Sequence, residues 1–240
     1  MGRAVAEALL AEGARVIANA RRAEALYELQ QAFPGVVDVV AGDVRLSETQ
    51  DSILECIADA PLAGVFVNAG GPPAKGFLET VITDWDNAYS DLLRWKVDLV
   101  QRLLPGFIKY GYGRILFLES VSVKQAIPNL VLSNSLRMAV VGMAKTLSDE
   151  VADKQITVNV LAPGYHSTPA VDRVMKKAAG IRNMSIEDVT ADLVGAIPLK
   201  RMGKASELAS LATWLLSPES AYITGQTITV DGGRVRGNFG

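Results

Sequence analysis

Along the chain, short apolar runs closed by glycine or polar residues alternate with longer stretches in which apolar positions recur every three or four residues. The runs ARVIANA (14–20), VVDVVAGDV (36–44), LAGVFVNAG (62–70), GRILFLES (113–120), ITVNVLAPG (156–164) and GQTITVDGG (225–233) read as six strands. The longer stretches predict helices over Gly2–Glu12, Ala23–Phe33, Leu46–Asp59, Asp84–Gly106, Leu132–Lys154 and Ala205–Leu216, with Gly13 stopping the first. Strand and helix alternate without a linker, repeat or charge block, which predicts a single α/β domain over residues 1–240 built on a doubly wound parallel sheet. Residues 166–200 follow neither period and are expected to be irregular and mobile. The helix at Gly2 has no strand feeding it. It reads either as a free N-terminal helix or as the second half of a unit whose first strand and turn are absent.

Composition narrows the function more than the fold. With 240 residues, 49% of them hydrophobic, the chain buries a sizeable core without staples. A net charge of -2 gives no basic field for nucleic acid or an anionic membrane, so a small-molecule ligand is expected. Cys56 and His166 are the only residues of their types, and the count excludes an internal disulfide, a clustered zinc site and a His-based triad; no metal is expected. Cys56 stands at helical spacing from Ile53 and Ile57 and is expected to be a buried, inert thiol. No apolar run reaches the length of a membrane span, and Arg3 and Glu7 break any secretory core, which points to a cytoplasmic protein.

Chemistry gathers at four strand ends: Asp43-Val44, Asn68-Ala69-Gly70-Gly71, Glu119-Ser120 and Ala162-Pro163-Gly164. In an open parallel sheet the ligand crevice lies beyond the carboxyl ends of the strands, so these clusters are expected to line one site. Glu119 reads either as an acid or as the partner of a neighbouring cation. Tyr165 and His166 stand where a substrate would reach them, and Asp231 is expected to shape a turn after the last strand.

On these residues the chain resembles the short-chain dehydrogenase/reductase family over essentially its whole length, most closely its 3-oxoacyl-acyl-carrier-protein reductase branch. The resemblance implies a Rossmann-like fold that binds a dinucleotide. Asp43-Val44 resembles the pair that holds adenine, Asn68-Ala69-Gly70 the NAG signature, and Pro163-Gly164 with Thr168 the segment under the nicotinamide carboxamide; residues 222–233, YITGQTITVDGG, match the family's final strand. Gly2 stands at the last glycine of the family's TGxxxGxG phosphate turn, so the first strand and most of that turn are expected to be missing from this chain. Arg21 and Arg22 follow the strand whose end normally carries an acidic residue for the ribose hydroxyls of NAD; arginine suits the 2′-phosphate of NADP, which makes NADP the expected cofactor and NAD the alternative. The resemblance also implies a homotetramer and a small-molecule or acyl-carrier-bound carbonyl substrate.

The catalytic set departs from the family. Thirteen residues after Ser120 the YxxxK tyrosine is Ser133, its lysine is Arg137, and the asparagine position is Leu92, so only Ser120 is retained. A phenol beside a cation supplies a proton near neutral pH; a serine hydroxyl does not, and arginine holds its proton. Ser120, Lys124, Ser133 and Arg137 are therefore the candidate catalytic residues, with Ser120 orienting a carbonyl oxygen and Lys124 or a bound water as proton source. Arg137 is also a candidate for the ribose. Two functions follow: an NADP(H)-dependent oxidoreductase acting on a carbonyl or alcohol, or a dinucleotide-binding pseudoenzyme or regulator.

Overall fold

The structure is a computed structural model that describes residues 1–238 apart from 69, 169, 170, 173, 174, 177, 178, 181 and 182. Its elements run α1 (Gly2–Ala11), β1 (Val16–Ala20), α2 (Ala23–Ala32), β2 (Val37–Ala41), α3 (Ser47–Ile57), β3 (Gly64–Val67), α4 (Ile82–Tyr89), α5 (Trp95–Tyr110), β4 (Gly113–Leu118), α6 (Val131–Val151), β5 (Ile156–Pro163), α7 (Ile186–Gly195), α8 (Ala205–Leu215) and β6 (Thr227–Val230).

All strand pairs are parallel. They form two sheets, β1-β2 and β3-β4-β5-β6. The register sets Val67 beside Phe117, Leu118 beside Leu161 and Pro163 beside Val230, so the carboxyl ends of the four-stranded sheet open on one edge.

Strands β4 and β5 are buried along their whole length because helices cover both faces, and the polar side chains they carry, Arg114, Thr157 and Asn159, are buried with them. On one face Leu99, Leu103 and Phe107 of α5 and Val140, Ala144 and Val151 of α6 pack on Ile115, Phe117, Val158 and Val160. On the other, Val5 of α1 and Leu208, Ala212 and Leu215 of α8 pack on Leu116, Leu118 and Leu161. A smaller cluster of Leu10, Leu29 and Val37 lies under the two-stranded sheet.

Three local expectations are corrected. The helix over Asp84–Gly106 is instead α4, a π-turn at Ser90–Arg94, and α5, which passes Gly106 and stops at Gly111 in the left-handed region (φ +62°). A 3.6-residue period does not register an i→i+5 turn, and an interior glycine costs only about 1 kcal/mol, less than Leu103 and Phe107 return on burial. Residues 166–200 contain α7, whose first turn is capped by Ser185 Oγ accepting from the Asp188 N–H (3.0 Å); Val189 and Leu193 pack it on Met175 and Ala179. Cys56 is exposed. Leu54 and Ile57 turn toward the core, and Cys56, two residues beyond Leu54, lies about 200° further round the helix.

Candidate active site

The site begins at the end of β4. The Glu119 N–H continues the ladder by donating to Leu161 O (2.8 Å), which fixes the residue where the strand leaves the sheet. Its carboxylate is fully buried between two cations. Lys96 Nζ of α5, 1% exposed, donates to Oε1, and Arg137 Nη1 of α6 donates to Oε2 at 2.8 Å. Arg137 has two further contacts: Nε to Ser133 Oγ one turn earlier on α6 (3.0 Å), and Nη2 to the carbonyl of Gly70 (3.4 Å). Burial is sustainable because both cations share the one carboxylate, which leaves the three groups with one net positive charge. Burial holds the Lys96 amine below the ordinary lysine pKa; Glu119 opposes this and Arg137 adds to it.

The structure thus brings Ser133 and Arg137 into direct contact and joins them to Gly70 and Glu119, as the convergence of strand ends requires. Of the two readings of Glu119, the geometry shows the ion-paired one. Lys96 was missed. Its sequence signal is phase: it repeats with Leu92, Leu99, Leu103 and Phe107 on the buried face of its helix, where a lysine needs a partner.

Ser120 is half-buried, and its Oγ accepts from the Ser122 N–H (3.2 Å) at the head of a 3₁₀ turn over Val121–Val123. Lys124 closes that turn through its own N–H to Val121 O (2.9 Å) and is half-buried. Leu92, at the family's asparagine position, is fully buried in the π-turn.

On the cofactor side, Gly2 at the start of α1 lies against Asn68: a Cβ there would stand 2.9 Å from Asn68 Nδ2. Asn68 and Gly70 are exposed, and Ala69 lies outside the described residues. Arg21 and Arg22 are exposed where β1 ends. Asp43 accepts from Arg45 Nε (2.9 Å), and Arg45 in turn reaches Asp91 in the π-turn, which links the small sheet to α4 and α5. The Arg45 hydrogen bond holds the Asp43 carboxyl below its usual pKa, and the Arg21 charge lowers it further. Val44 packs toward the main core, and its carbonyl accepts from Gln50 Nε2 (2.9 Å).

Pro163 is buried, and Gly164 is required by close approach, since a Cβ would stand 2.8 Å from Asp231 Cβ. Asp231 shapes the following turn as expected, accepting from the N–H groups of Gly233 (2.9 Å) and Val235 (2.7 Å). Thr168 Oγ1 accepts from the Val171 N–H (3.4 Å). Tyr165 lies under the Arg234 guanidinium, 4.6 Å from its ring centroid, and His166 is buried with Nδ1 3.2 Å from Gly164 O.

A mouth formed by parallel strand ends, with a glycine backbone approach at one side and a buried cation at the other, is a dinucleotide geometry. Residues 1–234 match the profile described as enoyl-(acyl carrier protein) reductase. The chain belongs to the short-chain dehydrogenase/reductase family. Among the relatives of this reductase-family chain, the 3-oxoacyl-[acyl-carrier-protein] reductase FabG of Thermotoga maritima is 30% identical over 240 residues, covering 98% of this chain and 93% of the relative. The crystal structure of YwfH, an NADPH-dependent reductase involved in bacilysin biosynthesis, superposes with a TM-score of 0.93 at 25% identity, covering 98% of this chain and 94% of that one. An NADPH-bound short-chain oxidoreductase from Pseudomonas aeruginosa PAO1, described as containing an atypical catalytic center, superposes at 0.86 with 28% identity, over 98% and 92% of the two chains. No helix among the described residues is long and apolar enough to cross a membrane.

Proposed function

We propose that this chain is an NADP(H)-dependent oxidoreductase that reduces a carbonyl on a small or acyl-carrier-bound substrate. The observation that carries the reading is Arg137, a buried cation held beside Gly70 and Ser133 at the mouth of the strand ends, where the family's lysine acts on the ribose. The FabG relative, the YwfH structure and the NADPH-bound Pseudomonas structure support it.

The residues present fit a phosphorylated dinucleotide. Gly2 permits close approach at the head of α1, Gly70 has open space where a Cβ would project, and two exposed arginines stand where an adenosine 2′-phosphate would lie. NADPH, when bound, supplies the hydride. Ser120 then orients the carbonyl oxygen, Arg137 holds positive charge beside the ribose, and Lys124 or a bound water delivers the proton that the new alkoxide requires. On this reading Asn68, Gly164 and Thr168 also contact the dinucleotide. A homotetramer is part of this reading: the faces of α5 and α6 expose Ile108, Tyr110 and Met138.

The test is NADPH oxidation against a panel of 3-oxoacyl thioesters and simple ketones, run beside NADPH binding. Oxidation of any member is the expected result. Binding without oxidation across the panel would select the regulator reading, which the replacement of tyrosine by Ser133 favours.

Cofactor choice gives a separate prediction. A charge-assisted contact from Arg21 to the 2′-phosphate favours NADPH over NADH by about 1.5–3 kcal/mol. Arg21→Asp is expected to reverse that preference in fluorescence titrations, and unchanged discrimination would place the phosphate elsewhere.

A further inference from the structure

A lone carboxylate facing a guanidinium has a strongly preferred arrangement, two parallel N–H···O bonds in a fork-to-fork pair. Arg137 does not adopt it. It gives Glu119 one contact, from Nη1 to Oε2, and spends Nε on Ser133 Oγ and Nη2 on Gly70 O. Oε1, the oxygen a bidentate pair would need, is taken by Lys96 Nζ. Lys96 is 1% exposed, so no water competes with it for that oxygen, and it comes from α5 while Arg137 comes from α6. The two cations therefore divide the carboxylate between them.

We infer that Lys96 is a positioning residue that acts through Glu119: by occupying Oε1 it denies Arg137 the bidentate pair and leaves the Nε and Nη2 edges of the guanidinium turned to Ser133 and Gly70. The inference rests on the proposed role of Arg137 toward the dinucleotide. Lys96 touches neither Ser133 nor Gly70 and has no part in the chemical step. Without it, Arg137 collapses onto both oxygens of Glu119, and the crevice loses a directed donor and one positive charge.

The experiment compares Lys96→Met, which keeps the stem and removes the charge, with Lys96→Arg, which restores a cation. Two quantities are read: the NADPH dissociation constant, and the positions of the Arg137 guanidinium N–H signals in nitrogen-15 spectra of the cofactor-free protein. Lys96→Met is expected to weaken NADPH binding about tenfold or more, the lower end of what a hydrogen bond to a charged group is worth, and to move the Nη2 signals as that edge leaves Gly70 O to complete the fork on Oε1. Lys96→Arg is expected to recover both. Should Lys96→Met not fold, Lys96→Gln is read in the same way. Unmoved guanidinium signals together with wild-type NADPH affinity in the uncharged variant would overturn the inference. Failure of the wild-type protein to bind NADPH would instead sink the proposed function, while the spectra would still report whether Lys96 sets the orientation of Arg137.

Discussion

Glu119→Ala is expected to lower the free energy of unfolding by about 3–5 kcal/mol, the usual cost of removing one partner from a buried ion pair. The loss is large because the carboxylate serves two cations. Lys96 is 1% exposed and the Arg137 side chain only 10%, so Lys96 above all has no water to turn to when Glu119 is gone. The remaining acceptors, Ser133 Oγ and Gly70 O, are neutral and both belong to Arg137, which leaves Lys96 as an uncompensated charge in the core. Urea denaturation of the two proteins at neutral pH measures the difference. A loss below about 1 kcal/mol, the size of a surface pair, would show that the three groups are not buried together.

The second large effect concerns the proton. Lys124→Met is expected to slow the hydride-transfer step by about 100-fold or more, the size of general acid catalysis, while Ser133→Ala leaves it nearly unchanged. Ser133 stands at the tyrosine position, yet its oxygen is occupied as acceptor for Arg137 Nε, and a serine hydroxyl is too weak an acid in any case. A guanidinium is not a proton donor for this chemistry. Lys124 closes the 3₁₀ turn that begins at Ser120, and so shares a rigid element with the retained serine. Single-turnover measurements with saturating NADPH and a reducible ketone separate this step from binding. Full turnover by Lys124→Met would assign the proton to a bound water.

Much of this site can be read from the chain because it sits at strand ends, and strand ends are where an apolar run stops. The apolar runs, set off from stretches with a 3.6-residue period, locate β3 to β6, and counting from Ser120 reaches Ser133 and Arg137 without a gap, which the direct Arg137–Ser133 hydrogen bond shows to be one turn of a single helix. The close approaches at Gly2 and Gly164 match glycines chosen for their position in a motif. Part of what was not legible has one physical root: pattern reading assigns each residue to a face and does not see its partner. A lysine in a helix reads as solvated unless its phase is checked against the apolar residues around it, which is how Lys96 was missed. The same limit misplaced Cys56, which shares a spacing with Ile53 but not a side with Leu54. The π-turn at Ser90–Arg94 and the helix Ile186–Gly195 failed for a different reason. One breaks the period, and the other is held by a cap and a few contacts in a mostly polar stretch.

The division of the sheet has a mechanical consequence for ligand binding. Arg21, Arg22 and Asp43 lie just beyond the ends of β1 and β2, whereas Gly70 and Gly164 follow strands of the four-stranded sheet and Arg137 stands on α6, which packs on that sheet. A dinucleotide gripped at its adenosine end by the first set and at its nicotinamide end by the second would act as a tie rod between the two sheets, alongside the bridge that Arg45 already makes from Asp43 to Asp91.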